Sequence, residues 1–264
     1  MNEPSTAHDT ERLAGVLRET AARIEPRRAS ADLINDVLAG ATDSFFGADS
    51  PIGTVYVAFG PDGVRYLAPA ASEDEFARRY RERFGRFVVL AARDRAQDLS
   101  EKVAAALAGE RVEVPLDLSR TTPFQRRVLE IVKGIARGEV RPYVWVAREA
   151  GSPGASRAVG NIMANNPVPL IVPCHRIVRN DGRTGSYAFG ADQKVRLLKL
   201  EGVAPEEIEW SPYVATSTTG IVCHATCRNA RRIQPENRRP FRSVREATEA
   251  GYRPCEVCRP VAAA

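Results

Sequence analysis

Four of the chain's five cysteines lie within its last 42 residues as two close pairs, Cys223 with Cys227 and Cys255 with Cys258. Their spacing is C-x3-C, 27 residues, C-x2-C. Two such pairs across a short loop suit tetrahedral Zn2+, and a segment this small has too little apolar core to fold unaided. One zinc held by all four sulfurs is therefore expected. His224 is read as a neighbour, because four sulfurs already complete the metal. On spacing alone, a structural zinc ribbon is the default reading.

The start of the chain, MNEPSTAHDTERL, is polar and acidic, and no apolar run approaches twenty residues. That reads as neither signal peptide nor membrane anchor, so a cytoplasmic protein with no membrane partner is expected. A reducing compartment favours thiol or metal chemistry over disulfides. The net charge of +5 is concentrated: residues 223–259 hold nine arginines, four glutamates and no lysine. Guanidinium suits phosphate geometry, which makes phosphate binding the expected role of this segment.

Along the chain, 1–42 reads as two short amphipathic helices. From Ser50 the period changes to two, with Val55, Val57 and Phe59 on one face, a turn at "PDG", and a return over Val64–Leu67. A helix from Glu73, a strand over Arg86–Ala92 and a helix over Gln97–Leu107 complete a small α+β unit, and "RVEVPLDLSR" reads as the linker out of it. A capped helix with a buried stripe of Phe124, Val128, Ile131, Val132 and Ile135 follows. "RPYVWVAREAG" and "ASRAVGNIMANN" then read as a helix-turn-helix pair, which taken alone is a weak sign of DNA binding. A further helix covers Asp192–Glu201.

In "PLIVPCHRIV" a cysteine stands beside a histidine. An unperturbed thiol is only about 3% ionised at neutral pH, so a nucleophilic cysteine needs a proton acceptor, commonly a histidine oriented by a carboxylate. Neighbours on a strand point to opposite faces, so Cys174 and His175 can cooperate only at a turn or through a water. Pro173 allows such a turn. A buried, inert cysteine beside a surface histidine is the alternative reading of the dipeptide.

The run "NPVPLIVPCHRIV", with "SRAVG" before it and "GSYAFGADQKVRLLKLEG" after it, resembles the O6-alkylguanine-DNA alkyltransferases, also called methylated-DNA–protein-cysteine methyltransferases. The resemblance covers about Thr122 to Gly202, and the unit opening with "SPIG" more loosely resembles the family's ribonuclease-H-like domain. It implies single-turnover transfer of an alkyl group from guanine O6, on a base flipped out of double-stranded DNA, to Cys174. His175 and Glu201 would activate the thiol through a water, and Arg176 would support the motif. Tyr143 would protonate the departing guanine, and Arg157 would fill the gap left in the duplex. Asn166 would shape the turn carrying the thiol, Tyr187 would wall the pocket, and Lys194 would lie beside it. Two departures stand out: "YVW" where the family has tyrosine then glycine, and Phe189 in place of a pocket-loop glycine. Phe189 is expected to narrow the pocket, putting bulky alkyl groups in question.

The words around the four cysteines, "STTGIVC", "ATCRNARR", "PENRRPF" and "AGYRPCEVC", resemble the metal-binding domain of Ada over about 210–260. That resemblance implies that Cys223, the first zinc ligand, accepts methyl from a methylphosphotriester. Four thiolates on Zn2+ sum to −2, and methylation to −1 would strengthen phosphate binding. Ada's order of domains is reversed here, and its paired activator region has no counterpart. The expected protein is an α+β monomer. It has a helical extension (1–42), a ribonuclease-H-like domain (43–118), a winged helix-turn-helix-like alkyltransferase domain (119–204) and a zinc domain (207–264), with no organic cofactor. A non-catalytic lesion sensor or an alkylation-sensing DNA-binding regulator is the alternative.

Overall fold

The computed structural model describes residues 42–261, so the two expected N-terminal helices lie outside the described residues. Strands β1 (Thr42–Ser50), β2 (Gly53–Gly60), β3 (Gly63–Ala68) and β4 (Phe87–Leu90) form a sheet in the order β3-β2-β1-β4. β2 is antiparallel to both β1 and β3, with Val57 opposite Phe46 and Leu67. The sequence reading puts the onset of strand at Ser50 and so misses β1. The reason lies in Phe45 and Phe46, which are adjacent yet both buried, one on each face. A strand covered on both sides does not alternate, and its period carries no signal.

Helix α1 (Glu73–Phe84) covers one face with Phe76, Tyr80 and Phe84. Its ends are well specified: the Ser72 side chain accepts from the Glu75 amide, acidic residues fill the first turn, and Gly85 closes it at φ 65°. Helix α2 (Arg93–Ala108) packs Val103 and Leu107 against the other face, within the core cluster that runs on to Cys174. The sheet and the thiol thereby share one core.

The stretch read as a linker is pinned to the sheet edge. Val64 donates its amide to Pro115, and Asp117 donates back to Val64. Gly63, at φ 120°, sits against the Pro115 carbonyl where a Cβ would collide. Arg65 ties this edge together, bonding Asp43 on β1 and Asp117 at 2.5 Å each. Tyr80 also donates to Asp43 at 2.5 Å, and both carboxylates are buried.

Helix α3 (Pro123–Lys133) starts with the expected cap, a reciprocal box between Thr122 and Gln125 with Pro123 in the first turn. β5 (Arg141–Pro142) leads into α4 (Tyr143–Glu149), and α5 (Ser156–Ala164) completes the helix pair. β5 runs parallel to β6 (Ile177–Val178), so the segments beginning at Tyr143 and ending at Arg176 are joined side by side. Helices α6 (Ala191–Leu200) and α7 (Pro205–Trp210) precede a second sheet, of β7 (Tyr213–Thr216), β8 (Ile221–His224), β9 (Arg238–Phe241) and β10 (Arg253–Pro254). Its order is β10-β8-β7-β9, with helix α8 (Val244–Glu249) between β9 and β10. Strand alternation puts Cys223 among the sulfurs on one face and Val222 with Tyr213, Val244 and Ala247 on the other. Among the described residues no helix is long and apolar enough to cross a membrane.

Arg65→Met tests the pinned edge. It leaves Asp117 buried without its cation, while Arg86 still reaches Asp43. The expected loss is about 3 kcal/mol, seen as a lower urea midpoint at unchanged m-value. A midpoint matching the parent would mean that the edge is held by backbone bonds alone.

Candidate active sites: a buried cysteine turn and a four-sulfur cluster

Cys174 opens a single 3-10 turn, Cys174–Arg176, entered through Pro173. In a turn, unlike a strand, adjacent cysteine and histidine side chains are not forced to opposite faces. This turn is shaped from below by buried Asn166, whose amide nitrogen donates to the Val172 carbonyl at 2.9 Å and to the Cys174 sulfur at 3.2 Å. The Asn166 oxygen accepts from the Val168 amide, and Leu170, between Val168 and Val172, is held at φ 73°. A left-handed leucine costs about 1 kcal/mol or more, and here the surrounding hydrogen bonds impose it.

His175 Nε2 lies 3.0 Å from Glu201 Oε1. Arg176 grips the same carboxylate in a two-pronged contact, at 2.9 Å and 2.7 Å, and donates to the Ile135 carbonyl. Burial, the largest single influence on Glu201, works to raise its pKa. The bonds from His175 and Arg176 outweigh it and hold the carboxyl down at about 2. An ionised Glu201 fixes the imidazole proton on Nε2 and leaves Nδ1 as the basic nitrogen. That Nδ1 is buried and has no hydrogen-bond partner among the described residues. Burial lowers the His175 pKa against the pull of Glu201, so the ring is neutral at pH 7. Burial likewise raises Cys174, opposed by the Asn166 bond and the Lys194 charge. The resting pair is thus thiol and neutral imidazole, the ring having its lone-pair nitrogen buried and unpartnered among the described residues.

Lys194 is fully buried, donating to the carbonyls of Ile177 at 2.5 Å and Ser186 at 3.4 Å. Burial brings its pKa down to about 8. The Tyr187 ring packs edge-on to His175 at 6.3 Å and to Phe189 at 5.4 Å. Burial, then the nearby Cys174, raises the pKa of both Tyr143 and Tyr187, so each keeps its proton to donate. Arg157 stands apart on the first turn of α5, exposed and with no hydrogen bond or ion pair among the described residues.

The sulfurs of Cys223, Cys227, Cys255 and Cys258 all lie within 4.8 Å of one another and are buried. Packed this closely they split their ionisation: hydrogen bonds with Cys227 and Cys258 push Cys223 up, and the bond to Cys223 holds Cys227 down. A thiophilic divalent cation takes all four as thiolates, so the donor set fits zinc. Val214, Ala230, Ile221 and Ile233 supply an apolar shell. Of the four, Cys223 alone borders a cavity of about 380 Å3, whose wall also holds Thr216, Thr218, Asn229, Arg232 and Asn237.

The sequence reading passes over the groups that join the two centres. Trp145, noticed only as part of "YVW", donates its indole N–H to the Cys258 carbonyl at 2.9 Å. Buried Glu139 pairs with Arg141 and accepts from the Arg228 amide at 3.0 Å. An indole on the first turn of a short helix, in a chain with two tryptophans, was the one available signal.

These features join a buried cysteine beside a histidine–carboxylate pair to a cluster of four cysteine sulfurs. Residues 123–203 match the model of the 6-O-methylguanine DNA methyltransferase DNA-binding domain, and 207–261 match the metal-binding domain of Ada. A methylated-DNA–protein-cysteine methyltransferase of Methanothermobacter thermautotrophicus is 45% identical over 91 residues, 34% of this chain and 51% of that protein. One from Methanosarcina acetivorans is 42% identical over 107 residues, 40% of this chain and 69% of that protein. The Mycobacterium tuberculosis OGT solved in complex with DNA is 30% identical, covering 63% of this chain and 98% of that one, with a TM-score of 0.47. The chain belongs to the methylated-DNA–protein-cysteine methyltransferase family and carries an Ada-type metal-binding domain after the methyltransferase domain. It spans about half the length of the first of these relatives.

Purified protein is expected to carry one zinc per chain, and Cys255→Ala or Cys258→Ala to lose both the metal and protease resistance from about residue 210 onward. Metal analysis with limited proteolysis checks this. A metal-free module that resists protease equally would show that the sulfurs are packing groups only.

Proposed function

We propose that this chain repairs alkylated double-stranded DNA by direct, irreversible transfer of a methyl or small alkyl group from guanine O6 to Cys174. The observation that carries the reading is the joint geometry at the turn: Asn166 on the Cys174 sulfur, and His175 held by Glu201 with its basic nitrogen free. In the reaction the Cys174 S–C bond forms as the C–O6 bond breaks. The thiol proton passes through a water to His175 Nδ1, and Tyr143 donates a proton to the departing guanine. The leaving group is thus never a bare anion in a buried site. No organic cofactor enters, and the protein is consumed in one turnover.

Arg157, exposed on α5 and without a hydrogen bond or ion pair among the described residues, suits insertion into the duplex where the base is extruded, a step that costs a few kcal/mol. Tyr187 and Phe189 form a packed aromatic wall that favours methyl over bulkier groups. For residues 43–118 we read a ribonuclease-H-like domain, supported by three antiparallel strands, a helix, and a fourth strand beside the first. Residues 119–204 are read as the alkyltransferase domain and 207–264 as a zinc domain. When bound, zinc keeps the four sulfurs as thiolates. The cavity at Cys223, with Arg232 and six amide- or hydroxyl-bearing neighbours on its wall, supports a second transfer from a backbone methylphosphotriester. There the Cys223 S–C bond would form as the phosphotriester C–O bond breaks, releasing a diester anion.

The test is peptide mass mapping after incubation with duplex carrying either lesion. O6-methylguanine should put methyl on Cys174 and not on Cys174→Ser, which should still bind DNA. Phosphotriester DNA should put methyl on Cys223 and on no other zinc ligand. DNA binding without methyl on any cysteine would make this a lesion sensor instead.

A further inference from the structure

The four-sulfur module and the Cys174 site are distant in sequence, yet one stretch of this chain, Gly138–Glu149, is built into both. On the module side, each end of the sulfur cluster is tied to it. The Cys258 carbonyl accepts the Trp145 indole N–H at 2.9 Å. Next to Cys227, the Thr226 hydroxyl accepts the Val140 amide at 2.9 Å, and the Arg228 amide donates to Glu139 at 3.0 Å. Arg259, following Cys258, pairs with Glu149 at the far end of α4. Arg141, buried and bonded to Glu139, lies with its guanidinium 5.5 Å from the Trp145 ring centre.

On the guanine side the same stretch touches the reactive groups. Gly138, at φ 77°, approaches so near that an added Cβ would lie 3.0 Å from the Glu201 carbonyl oxygen, and its amide reaches the Glu201 carboxylate at 3.4 Å. Arg141 and Pro142 pair with Ile177 and Val178, directly after the Cys174–Arg176 turn. Tyr143 begins α4, two residues before Trp145. The helix has only seven residues and no side-chain cap at its start. So short an element is marginal alone, and its position depends on what grips it.

From this we infer that Trp145 is a positioning residue for guanine repair: through the Cys258 carbonyl it makes the metal-loaded module a buttress for the helix that carries Tyr143. The inference rests on the repair reading above and extends it. Metal binding fixes Cys258 and Cys227, these fix Trp145 and Glu139, and these fix Tyr143 and the approach of Gly138 to Glu201. Losing the metal should then slow the chemistry at a sulfur that is not a metal ligand.

The experiment uses full-length protein on a Trp210→Phe background, which leaves Trp145 as the sole indole; Trp210 is 69% exposed. Stripping the metal with a chelator should shift Trp145 emission to the red. It should also slow single-turnover methyl transfer from O6-methylguanine duplex to Cys174 roughly tenfold, the scale of one lost hydrogen bond at a positioning contact. Trp145→Phe keeps the ring and removes the N–H. It should show a similar slowing with metal present, and metal removal should add little more, the non-additivity of two changes on one path. The inference is overturned if stripping the metal shifts emission but leaves the rate unchanged. It is equally overturned if the two losses multiply, which would make Trp145 a packing residue of α4 alone. A metal-loaded parent that puts no methyl on Cys174 would remove the repair reading itself.

Discussion

The carboxylate of Glu201 is the point at which three separate parts of the chain meet. His175 and Arg176 from the thiol-bearing turn bond it from one side, and the Gly138 amide reaches it from the segment leading to Tyr143. Glu201 itself caps the end of α6, the helix that carries Lys194. A buried carboxylate is costly unless fully paired, and here its partners hold it ionised. That one charge sets the histidine tautomer and leaves Nδ1 as the nitrogen without a proton. Without it, the turn would hold a buried thiol and a neutral ring with no preferred direction for the proton.

The remainder of the fold serves to keep this arrangement dry and in register. The N-terminal sheet sends Val55, Val57 and Leu67 into the same core cluster that contains Cys174, and the Leu67 amide bonds the Pro167 carbonyl beside Asn166. The arginine–aspartate edge around Arg65 closes the sheet against the segment that leads into α3. The C-terminal module has its own small cores, and its sulfur face is turned toward the Glu139–Trp145 stretch through backbone groups next to Cys227 and Cys258.

The cysteine turn and the four-sulfur cluster were legible because they sit in short local words. Cys174, His175 and Arg176 are adjacent, and the four zinc-type cysteines announce themselves by spacing. Helix α3 was legible from its cap and stripe. Strand β1 was not, because a strand buried on both faces has no alternation to read. The pinning of residues 114–117 to the sheet edge was hidden for a different reason: an arginine bonded to two carboxylates 22 and 52 positions away leaves no periodic trace. Trp145 was invisible in the same way, since its partner is a backbone carbonyl 113 residues on. Contacts to distant carbonyls depend on no particular side chain at the far end, so sequence pattern cannot report them.

The most direct test of the account is the single-turnover rate of methyl transfer to Cys174 in Glu201→Gln, measured beside its affinity for undamaged duplex. Glutamine keeps the volume and can still accept from Arg176, but it no longer anchors the imidazole with a charge. The account predicts a slowing of roughly a hundredfold or more, the usual contribution of a positioned base, with DNA affinity and zinc content unchanged. Transfer at the parental rate would show that the Glu201–His175 pair does not activate the thiol, and the central claim would fail.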